Sequence, residues 1–66
     1  MIEGDYIPAA GDRVSYERAA GGKGKGLITL IMSLSYPEPR TEVDVQDEDA
    51  GVLVVLDPAV DTITKL

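Results

Sequence analysis

The feature that most constrains this chain is what its 66 residues lack, because the sequence contains neither cysteine nor histidine. Without cysteine no disulfide can form, and without either residue the usual structural zinc sites are excluded. A chain of this length buries only about 60% of the surface that its unfolded form exposes. Its stability must therefore come from efficient packing or from association with other chains, and we expect association.

The apolar residues follow the two-residue period of β-strands. In residues 13–18, Val14 and Tyr16 alternate with polar residues, which predicts a half-buried strand with both side chains in the core. Val43 and Val45 alternate with acidic residues in the same way. Further strands are predicted by the apolar or alternating pattern of residues 27–34, 41–46, 52–56 and 62–66. No segment has a sustained 3.6-residue period, so the sequence predicts a single all-β domain of five short strands.

Three segments outside the predicted strands have a distinctive composition. Residues 19–26 are rich in glycine and predict a flexible loop or wide hairpin, whose Lys23 and Lys25 would face a partner. Asp57 followed by Pro58 predicts a single helical turn before the last strand. Residues 1–12 predict an extended N-terminal arm, because Pro8 favours extended geometry in the residue before it. The domain itself then covers residues 13–66.

This order of elements resembles the SH3-like small β-barrel, as in Tudor-type modules. The resemblance rests on Gly11-Asp12-Arg13-Val14, Gly24-Lys25-Gly26-Leu27-Ile28 and Leu56-Asp57-Pro58-Ala59-Val60. It implies a five-stranded barrel with a helical turn before the last strand. The first two segments are also similar to the plasmid-borne type II dihydrofolate reductases. The active-site segment of those enzymes has no counterpart in residues 52–56, so their activity is not inferred.

The charge balance disfavours several classes of partner. The chain has 12 acidic and 6 basic residues and a net charge of −6. Such a balance does not suit general nucleic-acid binding or an anionic membrane surface. The first residues contain neither the basic nor the apolar region of a secretion signal, and the longest mainly apolar run, 27–34, is too short to span a bilayer. We expect a cytoplasmic or virion-associated protein without a cofactor.

The residue types present do not favour catalysis. The sequence has no histidine or cysteine to act as base or nucleophile. Ser15, Ser33 and Ser35 lie in or beside predicted strands, and lysine is the only base available to them. The many carboxylates would have little cleft to shield them in so small a barrel. We therefore expect a protein that is not an enzyme.

Two predicted strands have more apolar residues than one core-facing side can hold. In residues 27–34 the predicted core side consists of Ile28, Leu30, Met32 and Leu34. The residues on the opposite sides of the two strands are Leu27, Ile31, Leu53 and Val55. They either pack inside through strong coiling of the strands or form an exposed interface. The interface favours a protein–protein interaction or structural module, self-associating, such as a decoration or assembly component of a virion or shell.

Two other functions remain open at this stage. An acidic strip could imitate the phosphates of a nucleic acid and so inhibit a nucleic-acid-binding protein; it comprises Glu42, Asp44, Asp47, Glu48 and Asp49. The alternative for this strip is a solvated face, and its spacing does not fit a calcium-binding EF-hand. Tyr6, Tyr16 and Tyr36 could instead enclose a small ligand or methylated lysine by cation–π attraction.

Overall fold

The computed structural model describes residues 6–66. This part of the chain forms one antiparallel sheet in the order β4-β3-β2-β1-β5. Its five strands are β1 (Arg13–Glu17), β2 (Lys23–Leu34), β3 (Arg40–Asp47), β4 (Leu53–Leu56) and β5 (Thr62–Lys65). The all-β class predicted from the sequence is confirmed. The edge strands β4 and β5 do not pair with each other, so the sheet is not closed into a barrel.

Strand β2 joins the two halves of the sheet. Its first part, Lys23–Leu27, pairs with β1, and the part from Gly26 to Leu34 pairs with β3. The prediction that residues 19–26 are a flexible loop is therefore wrong for Lys23–Gly26. The turn that remains is short, because the amide of Arg18 donates a hydrogen bond to the carbonyl of Gly22 at 2.8 Å.

Glycine is required inside β2 because groups of the neighbouring strands come very close to it. Gly24 and Gly26 alternate with exposed lysines and lie on the side of the strand that faces the core. A Cβ atom on Gly24 would lie 2.7 Å from the Tyr16 hydroxyl, and one on Gly26 would overlap the backbone carbonyl of Gln46. The two glycines are thus strand residues that leave room for neighbouring groups.

A β-bulge changes the orientation of the side chains along β2. The pairing of β2 with β3 shifts between Ile28 and Leu30, which leaves Thr29 as an extra residue. Ile28 is buried before the bulge, and Ile31 packs against the core after it. Leu30 and Met32 are exposed by 45% and 40%. The core side predicted for this strand is thus correct for Ile28 and wrong for Leu30 and Met32.

The core lies on one side of the curved sheet and receives side chains from all five strands. It consists of Val14, Tyr16, Ile28, Val43, Val45, Leu56 and Ile63, with Tyr6, Ile31 and Val54 packed against it. Val14, Tyr16, Val43 and Val45 point inward, as their alternation in the sequence predicts. We call this side of the sheet the inner face and the opposite side the outer face.

The segment before β5 is a turn and not a helix. The amides of Val60 and Asp61 donate hydrogen bonds to the Asp57 carbonyl at 3.0 and 2.8 Å. The Asp57 carboxylate accepts a hydrogen bond from the amide of Ala59 at 2.9 Å, in the manner of a capping residue. Residues 58–60 form a turn and none of residues 57–61 is helical, so the prediction of a helical turn is not supported.

The predicted N-terminal arm is not supported either. Tyr6 packs against the core, and its hydroxyl donates a hydrogen bond to Asp12 at 2.8 Å. The amide of Gly11 donates to the carbonyl of Ile28, and the amide of Ile28 donates to the carbonyl of Asp12, at 2.8 and 2.9 Å. Residues 6–12 are therefore attached to the sheet. The rest of the predicted arm, residues 1–5, lies outside the described residues.

Candidate functional site

The outer face of β2, β3 and β4 has an exposed set of aliphatic side chains. Each is between 40% and 54% exposed: Leu27, Leu30, Met32, Leu53 and Val55. We call these five residues the aliphatic surface. Single exposed apolar residues are normal in proteins, but a group on one face of a sheet marks a place where another molecule can bind.

Strand β3 runs through the middle of the aliphatic surface and contributes polar side chains. Gln46 lies between Leu27 and Leu53, and Asp44 lies in the next row between Leu30 and Val55. Glu42 is the partner of Met32 one row further along. Each of these three residues of β3 therefore has an aliphatic neighbour beside it. Two of them, Glu42 and Asp44, form an acidic line through the apolar area.

Asp44 has an unsatisfied oxygen within this surface. The residue is half-buried, and its Oδ1 atom is shielded from solvent without any hydrogen-bond partner. The hydroxyl of the bulge residue Thr29 donates to the backbone carbonyl of Asp44 at 3.4 Å and not to its carboxylate. A shielded carboxylate oxygen without a donor is costly, so this position favours a ligand that brings one.

The other end of the same face is basic. Lys23 and Lys25 are exposed on β2, where the sequence predicted a partner-facing loop. They border a shallow depression of about 420 Å³ together with Ser15, Glu17 and Asp49. The two lysines thus stand in fixed positions on the sheet, at the end of β2 opposite to the acidic line.

The structure brings together most of the interface that the sequence predicted. Leu27, Leu53 and Val55 lie on the outer face, whereas Ile31 packs against the core on the inner face. Sequence reasoning missed Leu30 and Met32. Both were assigned to the core because nothing in the sequence marks the bulge at Thr29.

The acidic strip does not present five free carboxylates. Asp47 is buried, and Glu48 is bound to the Arg13 guanidinium through two contacts of 2.6 and 3.0 Å. Glu42 lies 3.5 Å from Arg40. Asp44, Asp47 and Asp49 lack a side-chain cation within these distances in residues 6–66, and of these three Asp47 is buried. A regular row of phosphate-like charges is therefore not formed.

Asp47 instead holds the fold together. Its Oδ1 accepts hydrogen bonds from the amides of Ala50 and Asp49 at 2.7 and 2.9 Å, and its Oδ2 accepts one from the Tyr16 hydroxyl at 2.5 Å. The Ala50 amide and the Tyr16 hydroxyl lower the pKa of Asp47. The same hydrogen bond to Asp47, together with burial, raises the pKa of Tyr16 to about 12.

Asp61 plays a similar part between two turns. It accepts hydrogen bonds from the amides of Ala19 and Asp57, both at 2.8 Å, and so joins the β1–β2 turn to the turn before β5. Burial opposes its ionisation, but the two amides outweigh this effect and lower the pKa of Asp61.

These groups predict how stability depends on pH. A carboxyl whose pKa is lower in the folded state stabilises the fold above its ordinary pKa of 3.8, and this stabilisation is lost as the pH falls below that value. Tyr16, with a pKa raised from 10.0 to about 12, stabilises below pH 10 and loses its effect as the pH rises towards 12. We expect the free energy of unfolding to be highest between these limits.

Urea unfolding followed by circular dichroism at a series of pH values measures this dependence. Asp61→Asn should flatten the acid side of the profile, and Tyr16→Phe should flatten the alkaline side. A wild-type profile that stays level from pH 2 to pH 7 would contradict the assignment.

The three tyrosines occupy separate environments. Tyr16 is buried in the core, Tyr6 packs against it, and Tyr36 is 87% exposed. The Nζ atom of Lys65 lies 6.0 Å from the centre of the Tyr6 ring, so this ring already has a cation of the chain beside it. The arrangement offers no support for an aromatic cage built from these residues.

Within residues 6–66, no group of three or more acidic side chains is placed so that it could hold a metal ion. The same part of the chain contains no helix long and apolar enough to cross a membrane. Comparison with protein-family models, with curated proteins and with solved structures finds no significant match to this chain.

Proposed function

We propose that this chain is a non-enzymatic protein-interaction module that self-associates through the aliphatic surface. The observation that carries the proposal is the position of Leu27, Leu30, Met32, Leu53 and Val55, all about half exposed on one face of the sheet. Such a surface is covered when a second sheet packs against it at a distance of about 10 Å.

We also propose that the fold is related to the SH3-like small barrel, with the sheet left open between β4 and β5. Two features support this: the strand order β4-β3-β2-β1-β5, and a long β2 that is shared between the two halves of the sheet. A single core that receives side chains from all five strands also fits a strongly curved sheet. A fold does not by itself imply a function, so the proposed role rests on the aliphatic surface and not on the fold.

The free energy that the aliphatic surface gains on dimerisation is comparable to the cost of association. Complete burial of an aliphatic side chain gives about 1.5–3 kcal/mol, so a half-exposed one can still gain about 1 kcal/mol. Two copies that cover each other's aliphatic surface would gain about 10 kcal/mol in this way. Association costs about 4–15 kcal/mol, so the balance depends on concentration and on the polar contacts of the interface.

The test is the solution mass of the pure chain, measured by light scattering over a wide range of concentration. We expect the wild type to form a dimer that persists at high salt, because apolar burial is not screened. Val55→Asp and Leu30→Asp should each give a folded monomer. Val60→Asp is the matched control, since Val60 is 58% exposed but lies on the turn before β5.

A wild-type chain that stays monomeric at all concentrations would refute the proposed function, and so would dimers that survive both substitutions in the aliphatic surface. Ile31 is not suitable for this test. Its side chain packs against the core, so an aspartate there would unfold the chain and say nothing about association.

A further inference from the structure

We infer that a second copy of this chain binds the aliphatic surface by a two-fold rotation about the row of Leu27, Gln46 and Leu53, so that Lys25 of each copy meets Asp44 of the other. The inference rests on the proposed self-association and specifies its geometry. The axis lies parallel to the sheet, and the two β2 strands cross in opposite directions.

The register of the sheet determines what this rotation brings together. Leu30 lies two ladder positions from Leu27 in one direction, with Asp44 beside it on β3. Lys25 lies on the outer face two positions from Leu27 in the other direction. A rotation about the central row exchanges the two directions. Lys25 of the second copy is therefore placed over Leu30. Measured parallel to the sheet, it is displaced from Asp44 by one strand spacing, about 4.8 Å.

The same rotation matches a second pair of charges. Met32 and its partner Glu42 lie four ladder positions from Leu27 in one direction. Lys23 lies four positions from Leu27 in the other direction. Lys23 of the second copy thus comes to lie beside Glu42. One operation therefore pairs both lysines of β2 with the two acidic residues on the outer face of β3, while the leucines of the central row meet each other on the axis.

The pairing also supplies the donor that Asp44 lacks. Its Oδ1 is shielded from solvent and accepts no hydrogen bond within the chain. A lysine side chain is about 6 Å long, which bridges most of the distance of about 10 Å between packed sheets. The ammonium group of Lys25 can thus reach the carboxylate and form an ion pair away from bulk water.

The remaining charge near the axis is already neutralised. Arg13 is the β1 partner of Leu27, so the rotation would place it near Arg13 of the second copy. Its guanidinium is bound to Glu48 of the same chain at 2.6 Å, which reduces the repulsion between the two copies of Arg13.

Charge exchange tests the inference. Lys25→Asp and Asp44→Lys each place two like-charged pairs in the dimer, so each should raise its dissociation constant by about tenfold or more. An equimolar mixture of the two variants should regain the wild-type mass in light scattering, because both pairs are again opposite in charge in the mixed dimer. The double variant K25D/D44K should regain it as well.

Glu38→Lys is the matched control for Asp44→Lys. It makes the same change in net charge at an exposed site on the β2–β3 connection and should leave the dimer unchanged. Circular dichroism verifies that each variant is folded. If Asp44→Lys does not fold, Asp44→Asn takes its place, and if Lys25→Asp does not fold, Lys25→Gln takes its place. Each of these neutral substitutions should also weaken the dimer.

The outcomes separate this inference from the proposed function. A wild-type dimer that Val55→Asp disrupts, but that neither charge variant weakens, refutes the register and leaves self-association through the aliphatic surface intact. Charge variants that weaken the dimer without recovery in the mixture also refute the two-fold pairing. A monomeric wild type refutes both.

Discussion

Replacement of Gly26 by alanine is expected to unfold the chain. Gly26 lies in β2 between Val14 of β1 and Asp47 of β3, where the two halves of the sheet meet. A Cβ atom at this position would overlap the backbone carbonyl of Gln46 and come within 2.9 Å of a methyl group of Val45. Because a backbone carbonyl in a ladder cannot move aside, β2 and β3 would have to separate.

The expected loss is about 4 kcal/mol or more in the free energy of unfolding, which belongs to the rare class of very destabilising substitutions. A core of this size supplies about 3–5 kcal/mol in all, so circular dichroism of Gly26→Ala should show no folded state at 25 °C. Gly51→Ala is the control. It has a φ of 70° and open space around it, and should cost only about 1 kcal/mol. A Gly26→Ala chain as stable as this control would show that the strands do not approach so closely.

Truncation of Ile28 to alanine is the second large effect that we expect. Ile28 is 1% exposed, and its strand joins the two halves of the sheet. Removal of its side chain deletes about three methyl or methylene groups and leaves a cavity, at a cost of about 3 kcal/mol. Urea unfolding of this variant should show most of the wild-type stability lost.

Leu30→Ala and Met32→Ala are the matched controls for Ile28, because all three residues are apolar and share one strand. The bulge at Thr29 places Leu30 and Met32 on the outer face, so each truncation should cost less than about 1 kcal/mol when measured on the monomer at low concentration. If β2 were a regular strand, the three truncations would be equally damaging. That result would contradict the bulge.

The strands could be predicted from the sequence because their alternation is strong. Val14 with Tyr16, and Val43 with Val45, alternate with polar residues, and these four side chains do point into the core. Asp57 followed by Pro58 marks the turn before the last strand. Pattern and turn chemistry suffice for such elements, since each depends on residues close together in the chain.

The errors arose where distant residues decide the structure. The segment Lys23-Gly24-Lys25-Gly26 also alternates with a period of two, yet its glycine content favoured a loop. The reason for those glycines is the space taken by Tyr16 and by the backbone of Gln46, which only the folded sheet makes visible. The bulge at Thr29 likewise depends on how β2 meets β3, and it decides which residues of β2 belong to the candidate site.

The pairing of β5 with β1 has a consequence for how the chain reaches its fold. β1 can form a hairpin with β2 early, because a short turn joins them, but Ile63 of β5 meets Tyr16 of β1 only after nearly the whole chain has been traversed. Closing so long a loop has the largest entropy cost of any contact in this sheet. We therefore expect the arrival of β5 to be a late step in folding, and until it occurs one side of Tyr16 is left open to solvent.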